Sequence, residues 1–273
     1  MKPEDRKRLE EAVMRLENPS WTVRLINTIG MPVEWAIKKL PKGATAIISN
    51  TTTKAIRRAI IFAVSTMNHR KKGSASRWLH KGGVALSGGV GGFFGLPGLL
   101  ADLPISTVIM MRSIADIARS EGEDISSIDA QLACVEVFAF GGRKSSDDAI
   151  ETAYYAVRAG LTRAVTEASE FIAKKGLVEE GAPVIVRLIA RIAARFDLVV
   201  TEKVAAVMLP VIGAAGGATI NLLFINHFQS IARGHFIIRT LEREYGQEFI
   251  KQEYEKIARP REASMAITKA PTE

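Results

Sequence analysis

Two stretches of this chain carry no charged side chain. Residues 82–101 read GGVALSGGVGGFFGLPGLLA, 20 residues with eight glycines. Residues 204–232 include VAAVMLPVIGAAGGATINLLFI and run for 29 residues without Asp, Glu, Lys or Arg. Uncharged apolar segments of this length must be withdrawn from water, into protein or against hydrocarbon. Each is long enough to cross a hydrocarbon core of about 30 Å at about 1.5 Å per residue. Small residues four apart (Gly88 and Gly92, Gly91 and Gly95, Gly213 and Gly217) would let helix backbones approach closely. Against a straight span, glycine costs a helix roughly 1 kcal/mol relative to alanine in water, and Pro97–Gly98 interrupts the first stretch. Three arrangements remain open: spanning a bilayer, resting in one leaflet, or packing together at the centre of a soluble bundle.

The rest of the chain argues for helices. Apolar residues recur at spacings of three and four, and alternation with period two is nearly absent. The expected fold is an all-α multi-helix bundle, with the two glycine-rich apolar segments packed centrally or against membrane. One domain is expected over 1–258, followed by a disordered tail at 259–273. Helices are expected near 4–17, 20–29, 32–40, 44–67, from 74, 103–122, 127–140, 145–175, 183–208, 211–245 and 247–258. Asp102 is placed as N-cap of the 103–122 helix, with Pro104 in its first turn. Ser145 and Asp148 suggest a capping box. At 47% apolar residues the chain is not a disordered protein. Its one cysteine, Cys134, excludes a disulfide framework and reads as an inert core thiol. The charged N-terminus MKPEDRKRLEEAVMRLE lacks the apolar core of a secretory signal, so a cytoplasmic location is expected.

The net charge of +8 is unevenly placed. From Trp35 to Ala101 there is no acidic residue, but there are 11 basic ones: Lys38, Lys39, Lys42, Lys54, Arg57, Arg58, Arg70, Lys71, Lys72, Arg77 and Lys81. Subtracting them from 37 leaves 26 basic against 29 acidic residues elsewhere, a net of −3. This asymmetry points to an anionic partner surface, either lipid headgroups or nucleic acid. Nucleic acid ranks last, because few aromatics accompany the basic residues and no binding module is present. Lys54, Arg57, Arg58, Arg70, Lys71, Lys72, Arg77 and Lys81 are the candidate membrane or anion contacts. A solvated basic face without a partner is the plain alternative.

Two helices carry polar stripes. At about 100° per residue, Asn221, His235, Arg239 and Glu242 fall on one side of the last long helix. Arg112, Asp116 and Arg119 follow at spacings four and three on an earlier helix, so Asp116 can pair with either arginine. If the stripes face each other they form one polar network with Asp102, Arg112, Asp116, Asn221, His235, Arg239 and Glu242 as members. That network would fix helix register, hold a polar ligand, or support acid–base chemistry by Asp116, His235 and Glu242. No metal site is expected, since two histidines eight apart lack the spacing of a zinc motif. No cofactor fingerprint and no GxSxG serine motif occurs. Asp102 is the only charge between Lys81 and Arg112. It would be functional by default if it lay inside a membrane.

Two long blocks resemble a known family. GLPGLLADLPISTVIMMRSIADIARSEGED (95–124) is similar to the central motif of the EcsC protein family, and PVIGAAGGATINLLFINHFQSIARGHFIIRTLEREYG (210–246) to its second motif. The resemblance covers about 35–258 and implies a bacterial, mostly helical protein. The family is named from a gene adjoining an ABC-transporter operon, which suggests a membrane-protein partner such as a transporter. It has no established activity or ligand, so it contributes no catalytic residue. Some relatives carry a staphylolytic protease label, but the metal-ligand spacing of such a peptidase is absent here. The expected function is peripheral association with the inner face of the cell membrane, through anionic lipid or a membrane protein. An enzyme or ligand-binding protein built on the Asp/His/Arg/Glu cluster is the alternative.

Overall fold

The computed structural model describes residues 1–17, 25, 26, 30, 32–67, 95–142, 153–176, 181–208 and 213–268. These form an all-α multi-helix bundle, with no strand among the described residues. The helices are α1 (Pro3–Glu17), α2 (Val33–Lys38), α3 (Ala44–Thr66), α4 (Gly95–Ser120), α5 (Ile128–Phe140), α6 (Ala153–Lys175), α7 (Pro183–Val207), α8 (Gly213–Tyr245) and α9 (Gln247–Thr268).

The bundle is organised around α5. Its sequence IDAQLACVEVFAF is apolar on every side, and every residue from Ala130 to Phe140 is buried. A helix that is apolar all round has to be enclosed, and α3, α4, α6, α7 and α8 enclose it. Ser127 starts it by accepting a hydrogen bond from the Ala130 amide at 3.2 Å. At its other end, a Cβ on Gly141 would lie 2.6 Å from the Phe228 ring, and one on Gly142 would strike the Arg195 carbonyl. The helix therefore ends where only glycine lets α7 and α8 come this close. Phe138, Phe196, Phe224 and Phe228 form the aromatic centre, with ring centroids 5.0–6.0 Å apart.

α4 departs from expectation. It begins at Gly95, so Asp102 lies seven residues inside the helix rather than at its N-cap. Pro97 occupies the first turn, where a proline leaves no needed donor missing, and Pro104 is the interior proline. Near it the Ser106 and Thr107 hydroxyls both donate to the Leu103 carbonyl, at 3.1 and 2.7 Å. The last helix also differs. Its backbone continues to Thr268, where a tail was expected from Arg259.

Of the 29-residue uncharged stretch, 204–207 close α7 and 213–232 open α8. Within it, Ile220, Asn221, Phe224, Ile225, His227, Phe228, Ile231 and Ala232 are buried. Among the described residues no helix is long and apolar enough to cross a membrane. Residues 82–94 lie outside the described set, as do most of the expected 20–29 helix, the helix expected from 74, and the Ser145/Asp148 capping box. The close helix crossing falls at a glycine that small-residue spacing did not single out. A Cβ on Gly234 of α8 would lie 2.7 Å from Leu16 Cγ and 3.2 Å from the Ala12 carbonyl of α1. At Gly217 a Cβ would meet only Val207 Cγ1, at 3.9 Å.

Candidate functional site

The C-terminal half of α8 carries His235, Arg239 and Glu242 into one polar cluster, but their partners come from α5, α6 and the α4–α5 connection. His235 is fully buried, and its Nδ1 lies 2.8 Å from the Tyr154 hydroxyl of α6. Burial, reinforced by the positive charges of Arg158 and Arg239, holds its pKa well below the usual histidine value, so the ring is neutral. Arg158 Nη1 donates to the Tyr154 oxygen at 3.5 Å, the outer limit of a hydrogen bond. Tyr154 can then give its own proton to His235 Nδ1, which places the ring proton on Nε2. Among the described residues the buried His235 Nε2 has no hydrogen-bond partner.

Arg158 holds Glu242 in a two-pronged pair at 2.7 and 2.8 Å, and the Tyr155 hydroxyl donates to the same carboxylate at 3.0 Å. Side-chain exposure is 16% for Arg158 and 8% for Glu242, so this pair works at low dielectric. Arg239, one turn before Glu242, donates to Glu123 at 2.8 Å and to Asp129 at 2.7 Å. Arg243 also pairs with Glu123. Burial would raise the Glu123 pKa, but hydrogen bonds from Arg239 and Arg243 hold it below the usual range. Glu136 of α5 is the remaining carboxylate. Burial pushes its pKa up to about 7, against the opposing charges of Arg158 and Arg239.

The two expected stripes do not merge. Asp116 pairs with Arg119 on its own helix at 2.6 Å, and Arg112 is exposed above the Phe62 ring of α3 at 5.5 Å. His235 takes Tyr154 rather than Asp116 as its partner. Asn221 belongs elsewhere again, about 21 Å up α8 from His235 at 1.5 Å per residue. It accepts from the buried Lys203 ammonium of α7 at 2.7 Å. Lys203 also sits 4.2 Å above the Phe224 ring. Burial pulls its pKa down to about 8, while the negative charge of Asp102 opposes that shift. Asp102 thus acts on a buried lysine from inside α4. Cys134 is free and buried, and burial pushes its thiol pKa far up, which makes it inert. Among the described residues no cluster of three metal-ligating side chains forms.

Sequence reasoning missed Glu123, Asp129, Glu136, Tyr154, Tyr155, Arg158 and Lys203. The pattern Tyr154–Tyr155–Arg158 does place three polar groups on adjoining turns of α6. Lys203 is the last charge before the uncharged stretch.

The basic stretch forms a face of a different kind. Lys38, Lys39, Lys42, Lys54, Arg57 and Arg58 are all exposed. None of the six makes an ion pair among the described residues. On α3 the buried side is Ile48, Thr52, Ala55, Ile56, Ala59, Ile60 and Ala63. On the opposite side, Lys54 and Arg58, spaced seven and eleven from Ile47, each lie within about 20° of it around the helix. The other candidate contacts, Arg70, Lys71, Lys72, Arg77 and Lys81, lie outside the described residues.

No curated protein and no solved structure matches the chain. The match to a family model runs from residue 4 to residue 241, so it takes in α1, which the resemblance in the sequence had left out, and stops at Leu241. The chain belongs to the EcsC protein family, whose model covers residues 4–241.

Proposed function

We propose that this protein is a peripheral component of an anionic membrane surface, held there through the basic outer face of α2 and α3. One observation carries this reading: six exposed basic side chains stand in an acid-free stretch without an ion pair among the described residues. Each lysine or arginine close to anionic lipid contributes about 1 kcal/mol. Half of the six would raise partitioning on the order of a hundredfold. Attraction of this kind decays over a Debye length of about 8 Å at physiological salt, so binding weakens as salt rises. The test is co-sedimentation with phosphatidylcholine vesicles, with and without phosphatidylglycerol, at low and high salt. Binding that needs the anionic lipid and yields to salt supports the reading. A protein that stays in the supernatant under every condition refutes it.

A second reading has its own observation. The unpartnered Nε2 of His235, in a cluster with Tyr154, Arg158 and Glu242, suits a small polar ligand. Its test is mass analysis of the native protein before and after denaturation. A stoichiometric released compound, lost in His235→Phe, supports it, and a mass equal to the bare chain opposes it.

A further inference from the structure

We infer that Trp35 and Ile47 are the side chains that enter the bilayer interface. This inference rests on the membrane reading above and deepens it by adding an apolar anchor to the electrostatic contact. Both are large, apolar and half exposed, Trp35 at 46% and Ile47 at 53%. Ile105, Val186, Leu222 and Phe249 are also exposed on other helices. What separates Trp35 and Ile47 from these four is their company. Both belong to the stretch that holds no acid, which begins directly after the exposed Glu34.

The geometry groups them. Residues 39–43 join α2 to α3, and a five-residue connector spans at most about 18 Å. The helix ends that carry Trp35 and Ile47 are therefore neighbours, with Lys38, Lys39 and Lys42 between the two residues in sequence. Lys39 Nζ sits 5.1 Å from the centre of the Trp35 ring. A tryptophan whose ring carries an ammonium on its face is suited to the headgroup layer, where the ring lies among the upper acyl carbons and the ammonium meets phosphate. Ile47 leads the ridge that continues through Lys54 and Arg58, so a surface touching Ile47 also meets both cations. The occupant is an anionic lipid surface: the patch is positively charged throughout and alternates cations with apolar groups, as an interfacial segment does.

The experiment uses the full chain and vesicles of phosphatidylcholine with phosphatidylglycerol. Trp35→Ser with Ile47→Ser should lower partitioning roughly tenfold or more per side chain removed, with unchanged helical content. Phe249→Ser, an exposed apolar residue of α9, should bind like the wild type. In a chain whose only tryptophan is Trp35 (Trp21→Phe, Trp78→Phe), lipids brominated near the headgroup should quench emission more than lipids brominated near the chain terminus. The inference is overturned if the double variant binds as the wild type does and Trp35 stays unquenched. In that outcome purely electrostatic attachment survives. Absence of wild-type binding to anionic vesicles would overturn both.

Discussion

Two collections of positive charge among the described residues are treated in opposite ways. Around the C-terminal half of α8, Arg158, Arg239 and Arg243 each meet a carboxylate. Arg233 and Arg8 share Glu121, at 3.5 and 2.9 Å. On α2 and α3, six basic residues stand exposed, with no ion pair among the described residues. Arg158 and Arg239, 16% and 15% exposed, are largely enclosed by helices and sit against carboxylates, because an unpaired buried charge costs several kcal/mol. Charges facing water need no internal partner and are free to meet an external one. The first collection joins α8 to the helices around it, and the second is the surface through which we propose the protein works.

Breaking the enclosed collection should give the largest change in stability. Glu242→Ala leaves the Arg158 guanidinium, 16% exposed, without its carboxylate. The expected loss is about 3 kcal/mol, read as a lower thermal midpoint, with vesicle binding unchanged below the transition.

The neighbouring Glu136 sharpens the contrast through pH. Its folded pKa, about 7, lies above the unfolded value, 4.5. The folded state therefore holds the proton more tightly. Stability from that protonation is complete below about pH 4.5 and is lost as pH rises through 7. Glu136→Gln should stabilise the protein above pH 7, by an amount of order 3 kcal/mol at most, and should give no gain near pH 4. Chemical denaturation at several pH values reads this directly. A gain that does not vary with pH would place the carboxylate outside the core.

Packing of α1 against this half of α8 is the next smaller effect. Gly234→Ala should cost about 1–3 kcal/mol, because the added methyl meets Leu16 and the Ala12 carbonyl. Gly217→Ala, with only Val207 at 3.9 Å, should be neutral or stabilise by up to about 1 kcal/mol through helix propensity. Thermal melts of the two variants side by side test this ordering.

On the exposed side, Lys54→Glu, Arg57→Glu and Arg58→Glu together should move the melting point least. Exposed substitutions away from special contacts stay within about 0.5 kcal/mol each. A large loss of stability would mean that this face serves the fold.

The sequence and the structure agree most where the argument is local. Spacing of apolar residues predicts helices over 127–140 and 211–245, and α5 and α8 lie at Ile128–Phe140 and Gly213–Tyr245. The start of α4 was misplaced because Asp102 followed by Pro104 is a good cap in isolation. In the structure the helix already runs from Gly95. The stripe of His235, Arg239 and Glu242 was legible, since one helix sets it. Its partners were not, because Tyr154, Arg158, Glu123 and Asp129 are brought together by how helices cross. For the same reason Asn221 seemed part of that stripe, while in the bundle it meets Lys203. The exposed basic face of α2 and α3 is foreshadowed by the absence of acids between Trp35 and Ala101, a fact of composition that needs no geometry.

The most direct test of the account is vesicle partitioning of the wild type beside the Lys54→Glu, Arg57→Glu, Arg58→Glu variant, at low and high salt. The account predicts that the wild type binds anionic vesicles and is loosened by salt. It also predicts that the variant binds far less while melting at the same temperature. Equal binding by the two proteins, or no binding by either, would contradict it.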